Sequence, residues 1–159
     1  PQHDFAGGPV QSYNHTNSTQ DVDINAFVTK SNGNSLKLWG NSWKKVPMSY
    51  SVTPNTELNV NFKSTLGEVE IAGVGFILQG QTQLASSKFW QFHGTQNWGN
   101  PEHNNYTGND DKPYTIKIGE KFTGQISHIV FVADHDNHDV AQNVVYQTPV
   151  LNCLELSGF

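Results

Sequence analysis

Arginine is absent from this sequence, so all nine basic residues are lysines. A nucleic-acid binder needs a clustered basic stripe, usually with arginine for phosphate and base contacts. A chain of formal net charge -5 offers no such stripe, and nucleic acid is excluded as a partner. Cysteine is almost missing too. The single Cys153 cannot build an internal disulfide framework, so stability has to come from a core or a bound ion. Cys153 itself reads as a small buried hydrophobe of the last strand. No apolar run approaches the roughly 18 residues that a membrane-spanning helix requires. The opening PQHDFAGGPV lacks the charged-then-apolar layout of an export signal. Charged residues make up only 14% of the chain. Asn, Thr, Ser, Gln and Gly hold the polar positions that Lys, Glu and Arg fill in helical proteins, which disfavours helix.

What is present is a chain of 159 residues, long enough for one domain with a proper core and too short for two. The expectation is a single domain over 1–159, with residues 1–19 a loosely held N-terminal segment. Runs rich in Thr, Val, Ile and aromatics recur at 22–29, 35–39, 45–52, 57–63, 68–79, 88–93, 113–118, 124–133 and 143–156. In the fourth run Leu58, Val60 and Phe62 alternate with Glu57, Asn59, Asn61 and Lys63, the pattern of a strand with one wet and one core face. Turn signals such as Asn32-Gly33-Asn34, Thr53-Pro54-Asn55 and Leu66-Gly67 separate the runs. No 3.6-residue periodicity is sustained. Many closely spaced strands without covering helices predict an all-β antiparallel sandwich of jelly-roll type.

Three constellations could carry chemistry. The first is aromatic. Sugar rings present C–H faces that stack on indole and hydroxyls that pair with amides. Trp98 lies in the long strand-poor stretch from Gly94 to Lys112, beside Gln96 and Asn97 and close to Tyr106, with Trp90 and His93 just upstream; loops of that length tend to be functional. Trp98 is open to either a ligand or a plugging role, Trp90 fits the core better, and Trp39 and Trp43 flank a turn and read as structural. The second constellation is acidic: Asp134, Asp136 and Asp139 follow an apolar strand within six residues, a pattern that predicts calcium, which takes carboxylate, amide and carbonyl oxygens. A solvated loop is the competing reading, and zinc through His135 and His138 would need a third ligand such as His93 or His103. The third is the pair Glu68 and Glu70, which share one strand face at a separation of roughly 7 Å, loosely suited to glycoside hydrolysis. A further acidic partner is missing at Gly73 and Val74, and neither a serine nucleophile elbow nor an activated cysteine occurs.

The stretches SLKLWGNSWKKVPMSYSVTPNTELNVNFKS, GEVEIAGVGF, GTQNWG, NYTG and FTGQISHIVFVADHD together resemble the β-sandwich carbohydrate-binding modules attached to secreted polysaccharide-degrading enzymes. The resemblance runs from about Gln20 to Val150. It implies a jelly-roll module without catalysis that targets plant or algal polysaccharide, with calcium often present. The chain departs from that pattern at Ile77, where related modules carry an Asp after the Gly-Phe pair. The sequons at Asn14, Asn17 and Asn105 fit a secreted, extracellular glycoprotein. The expected function is lectin-like, non-catalytic, calcium-assisted polysaccharide or oligosaccharide binding by a monomer or a module of a larger enzyme. Ligand contacts are expected from Trp98, Gln96, Asn97, Tyr106, Trp90, His93 and Asp136. A sandwich glycosidase or lyase is the first alternative, and an extracellular structural or adhesive domain is the second.

Overall fold

The computed structural model describes residues 9–14, 19–30, 33–65 and 69–154. Its strands are β1 (Gln11–Ser12), β2 (Phe27–Lys30), β3 (Ser35–Trp39), β4 (Ser42–Val52), β5 (Thr56–Ser64), β6 (Ile71–Leu78), β7 (Phe89–His93), β8 (Lys112–Ile116), β9 (Gly124–Asp134) and β10 (Asn143–Cys153). The expected antiparallel β-sandwich is the observed architecture. One five-stranded sheet has the order β1-β4-β9-β6-β7 and the other β2-β3-β10-β5-β8. Among the described residues helix is confined to two 3₁₀ turns, Ser86–Lys88 and Ile118–Glu120.

The alternation read in the sequence sets β5. Leu58, Val60 and Phe62 point inward and are buried, while Glu57, Asn59, Asn61 and Lys63 are half-buried on the outside. Phe62 anchors the core between the sheets. Its ring lies 5.4 Å from Phe92, 4.9 Å from Tyr106 and 5.2 Å from Tyr146, and tilted or edge-on aromatic pairs of this kind are favourable beyond their area burial. The Tyr146 hydroxyl crosses to the opposite sheet and donates within reach of the Gly73 and Val132 carbonyls.

β6 differs from that pattern, because Ile71 through Ile77 are all buried. A sheet covered on one face leaves alternate residues wet, so the first sheet must be covered on both. The outer cover is a second apolar cluster of Tyr13, Trp43, Ile71, Ile77, Leu84, Phe89, Val130 and Val132, with Trp98 packed against it.

Three expectations change at the sandwich edges. Residues 9–14 of the segment expected to be loose pack on the fold: β1 pairs with Lys44 and Lys45, and the Tyr13 hydroxyl accepts the Leu84 N–H at 2.8 Å. The strand expected over 22–29 begins only at Phe27, because Asp21 is drawn to β4. Its carboxylate accepts the Trp43 N–H at 3.0 Å and the Lys44 ammonium at 2.6 Å, and Lys44 also donates to the Ile24 carbonyl at 2.6 Å. Cys153 is exposed rather than buried, since the cover over β10 ends with the strand. Asn32, Leu66-Gly67, Glu68 and Asn17 lie outside the described residues. The Asn14 amide nitrogen donates to the Asp21 carbonyl at 3.0 Å, so a glycan on that sequon would have to break this contact.

The Lys44–Asp21 pair is fully enclosed, with side-chain exposures of 1% and 0%. Removing one partner of a buried pair leaves an uncompensated charge, which costs about 3–5 kcal/mol. Asp21→Ala should lower unfolding stability by that order in chemical denaturation, and Asp21→Ala/Lys44→Met should recover most of the loss. A single variant within 1 kcal/mol of wild type would show the pair to be energetically idle.

Candidate functional site

The outer face of the first sheet is built row by row across the ladders. Trp43 on β4 pairs with Val132 on β9, Val132 with Gly73 on β6, and Gly73 with Gln91 on β7. The next row holds Lys45, Val130, Gly75 and Phe89. Glycine at both β6 positions leaves room above the sheet. A Cβ on Gly73 would press on the Phe89 ring, and one on Gly75 would press on Leu84 and Phe89.

The loop after β7 folds back over this face. Buried Gln91 fixes it, because its amide accepts the Trp98 N–H at 3.1 Å and donates to the Gln96 carbonyl at 2.5 Å. Gly94 and Gly99 bracket the loop with φ of 144° and 81°, values that residues with a Cβ rarely adopt. Trp98 is thereby laid against Phe89 at 4.7 Å and edge-on to Trp43 at 5.7 Å, with Tyr13 stacked behind Trp43 at 5.8 Å.

These aromatics border a cavity of about 320 Å³ lined by Tyr13, Gln20, Trp43, Ile71, Gln83, Leu84, Gln96, Trp98 and Asp134. A wider depression over residues 80–86 adjoins it and shares Gln83, Leu84 and Trp98. The Trp43 side chain is buried, yet its indole nitrogen has no hydrogen-bond partner among the described residues. It lies within electrostatic reach of the Asp134 carboxylate and helps keep it ionised, but the geometry falls short of a hydrogen bond.

Carboxyls cluster at the rim. Partial burial holds both Glu70 and Asp134 above the usual carboxylate range, and Asp136 adds repulsion to each. Against this, Glu70, Trp43 and His135 pull Asp134 back down.

Of the residues expected to meet a ligand, Trp98 and Gln96 line the cavity and Asn97 is exposed beside them. Asp136 is exposed near Asp134, while His93 sits edge-on to Tyr106 at the end of β7. Trp90 and Tyr106 are not at this cavity. Trp90 packs on Phe76 in the intersheet core. The Tyr106 ring is held by Phe62, with its hydroxyl donating to the Ser64 and Asp110 carbonyls. Both rings are buried, and Trp90 borders a separate depression with Glu102, His103 and Lys121. Trp43, Tyr13, Gln20 and Gln83 escaped the sequence reading. Only the spacing of Trp43 from its turn marked it, and the others come from segments distant in the chain.

The proposed ion ligands fare differently. Among the described residues no three His, Cys, Asp or Glu side chains converge to hold a metal. Asp139 is turned inward on its own loop, where its carboxylate accepts the Ala141 N–H and Asn137 accepts the Asp139 N–H, each at 2.9 Å. His138 faces Asp23 at 2.7 Å, and His135 faces Gln142 at 3.2 Å, so the two histidines are directed to different partners. Neither the trio Asp134, Asp136 and Asp139 nor the histidine pair is arranged as a closed coordination shell. The chain matches no protein-family model and no curated protein.

A raised carboxyl pKa in the folded state means that the native state holds its proton more tightly than the unfolded chain does. The contribution favours folding at low pH and is lost as pH rises through the folded-state value. Asp134→Asn removes this opposition, so its melting temperature should exceed that of wild type at pH 7. The gain should shrink as pH falls toward the ordinary Asp value of about 3.9. A gain independent of pH, or a loss at pH 7, would contradict the assignment.

Proposed function

We propose that this protein binds polysaccharide chains without cleaving them, as a secreted, monomeric lectin-like unit that acts alone or appended to a polysaccharide-degrading enzyme. The observation that carries the reading is the half-buried Trp98 ring at a cavity whose other walls are aromatic, aliphatic and amide, with the Asp134 carboxylate among them. A flat apolar surface rimmed by groups that both donate and accept suits a pyranose, which has C–H faces and a hydroxyl perimeter. The jelly-roll connectivity implied by the family resemblance belongs to the same reading, since the chain passes between sheets from β4 to β5 and again from β8 through β9 to β10.

Stacking on Trp98 should contribute on the order of 1 kcal/mol, about fivefold in affinity. Retardation in gels containing xylan, β-glucan, mannan, pectin or alginate should therefore weaken at least that much in Trp98→Ala, with near-UV circular dichroism verifying the fold. Unchanged retardation of a folded variant would move the site away from Trp98.

Calcium enters this reading as an assisting ion of the loop that carries Asp134, Asp136 and Asp139, whose carboxylates would have to draw together around it, since no three such side chains converge among the described residues. The support is the repulsion that Asp136 exerts on both Glu70 and Asp134, which a cation would relieve. A ligand of the folded state alone raises stability by about 2.7 kcal/mol at a hundredfold excess over its dissociation constant. Melting temperature should thus rise with millimolar calcium and fall with chelator. Superimposed curves would remove the ion from the reading.

A second reading, a glycosidase or lyase, is favoured by one observation: Glu70 and Asp134 are paired carboxyls with raised pKa values beside the cavity, the environment of carboxylate acid–base catalysis. New reducing ends or unsaturated products on incubation with the same polysaccharides would establish it over simple binding.

A further inference from the structure

From the polar groups of the cavity we infer that it selects a neutral, hydroxyl-bearing sugar residue and excludes uronates, with the Trp43 indole N–H and the Asp134 carboxylate reading the sugar's hydroxyls. This rests on the carbohydrate-binding reading above and narrows its ligand class. Trp43 is 4% exposed and its Nε1 has no hydrogen-bond partner among the described residues, a state that folded proteins rarely leave uncompensated. Trp43 lines the same cavity as Asp134, and its Nε1, almost wholly covered, would need a small shift of the ring for a ligand there to meet both groups.

The chemistry of the two groups is complementary. An indole N–H can only donate, and an ionised carboxylate can only accept. A hydroxyl placed between them accepts from Trp43 and donates to Asp134, which satisfies both. A ligand carboxylate could take the Trp43 proton but has none to give Asp134. Its charge would also face Asp134 directly, with Asp136 and Glu70 close enough to act on Asp134 and on each other. No lysine lines the cavity to offset them, and like charges in a partly desolvated site repel strongly. Gln20, Gln83 and Gln96 complete the lining; each amide donates and accepts, as hydroxyls do. Like charge is thus the device by which the site would reject the wrong polymer.

The test is titration calorimetry at pH 7 in 0.15 M NaCl, where the chain's overall negative charge is screened beyond about 8 Å. The probes are soluble xylan, galactomannan and mixed-linkage β-glucan on one side, and polygalacturonate and alginate on the other, each with and without calcium. Binding to at least one neutral polymer and to neither acidic polymer is expected. Trp43→Phe keeps a ring but deletes the N–H, and should weaken neutral-polymer binding about tenfold. Asp134→Asn keeps the shape and should weaken it several-fold. Thermal melts identify which variants are folded, and Asp134→Asn decides the matter if Trp43→Phe is not. Binding to polygalacturonate or alginate, with or without calcium, overturns the inference while leaving carbohydrate binding in place. Unchanged neutral-polymer affinity in the folded variants also overturns it. Heat-silent titrations with all five polymers would instead overturn the carbohydrate-binding reading itself.

Discussion

At Gly73 and Gly75 a single added carbon would run into Phe89, Leu84 or the β7 backbone, and the outer half of the molecule depends on that space. Without side chains there, β6 and β7 approach closely and Phe89 lies down on the sheet. Trp98 can then lie tilted on Phe89 and edge-on to Trp43, with Tyr13 stacked on Trp43. The result is a second apolar layer outside the sandwich, built from residues of β4, β6, β7 and β9 and of three connecting segments, those of Tyr13, Leu84 and Trp98. Two cores therefore share one sheet. The inner core holds the sheets together, and the outer one presents aromatic surface at a cavity.

The same economy shows in how polar groups are used. Two buried polar side chains close the fold fully satisfied: Gln91 binds the Trp98 loop at Gln96 and at Trp98, and Lys44 is enclosed by Asp21 and the Ile24 carbonyl, whereas the buried Ser42 Oγ of β4 has no partner among the described residues. At the cavity the accounting is left open. The Trp43 indole N–H goes without a partner among the described residues, and carboxyls crowd the rim, where burial raises the pKa of both Glu70 and Asp134. Such local departures from full satisfaction cluster where proteins meet ligands.

The sheets were legible because their signals are local. Alternation in β5 and the turn residues between runs are set by the two-residue period of a strand and by backbone sterics, and both survive in any context. The outer layer was not legible for a physical reason. A run such as Ile71-Ala72-Gly73-Val74-Gly75-Phe76-Ile77 is apolar on both faces, which reads equally as an ordinary strand or one covered twice. Its cover comes from Tyr13 and Leu84, 71 residues apart in sequence. Trp98 and Gln96 could be picked out because they sit together in an unusual loop. Tyr106 and Trp90 could not be separated from them, since an aromatic beside polar neighbours looks the same whether its ring turns inward or outward. Lys44 was hidden in the same way: its anion is 23 residues upstream, in a stretch that resembles a strand until the ion pair draws it out of line.

Carbohydrate recognition by a small sandwich requires a rigid apolar platform beside flexible polar groups, and the two demands compete for surface. Here the platform is rigid because Trp98 is held from three directions: its backbone by Gln91, its ring by Phe89 and by Trp43. The groups expected to adapt, Gln20, Gln83 and Gln96, are exposed side chains from separate loops, so they can reorient around a ligand without disturbing the stack. Preorganising the aromatic contact limits the entropy lost on binding, while mobile amides tolerate variation in hydroxyl stereochemistry. On the proposed carbohydrate-binding reading, discrimination between polymers would fall to two polar groups in the wall, the Trp43 indole N–H and the Asp134 carboxylate. A site built this way would be broad among neutral sugars and strict about charge.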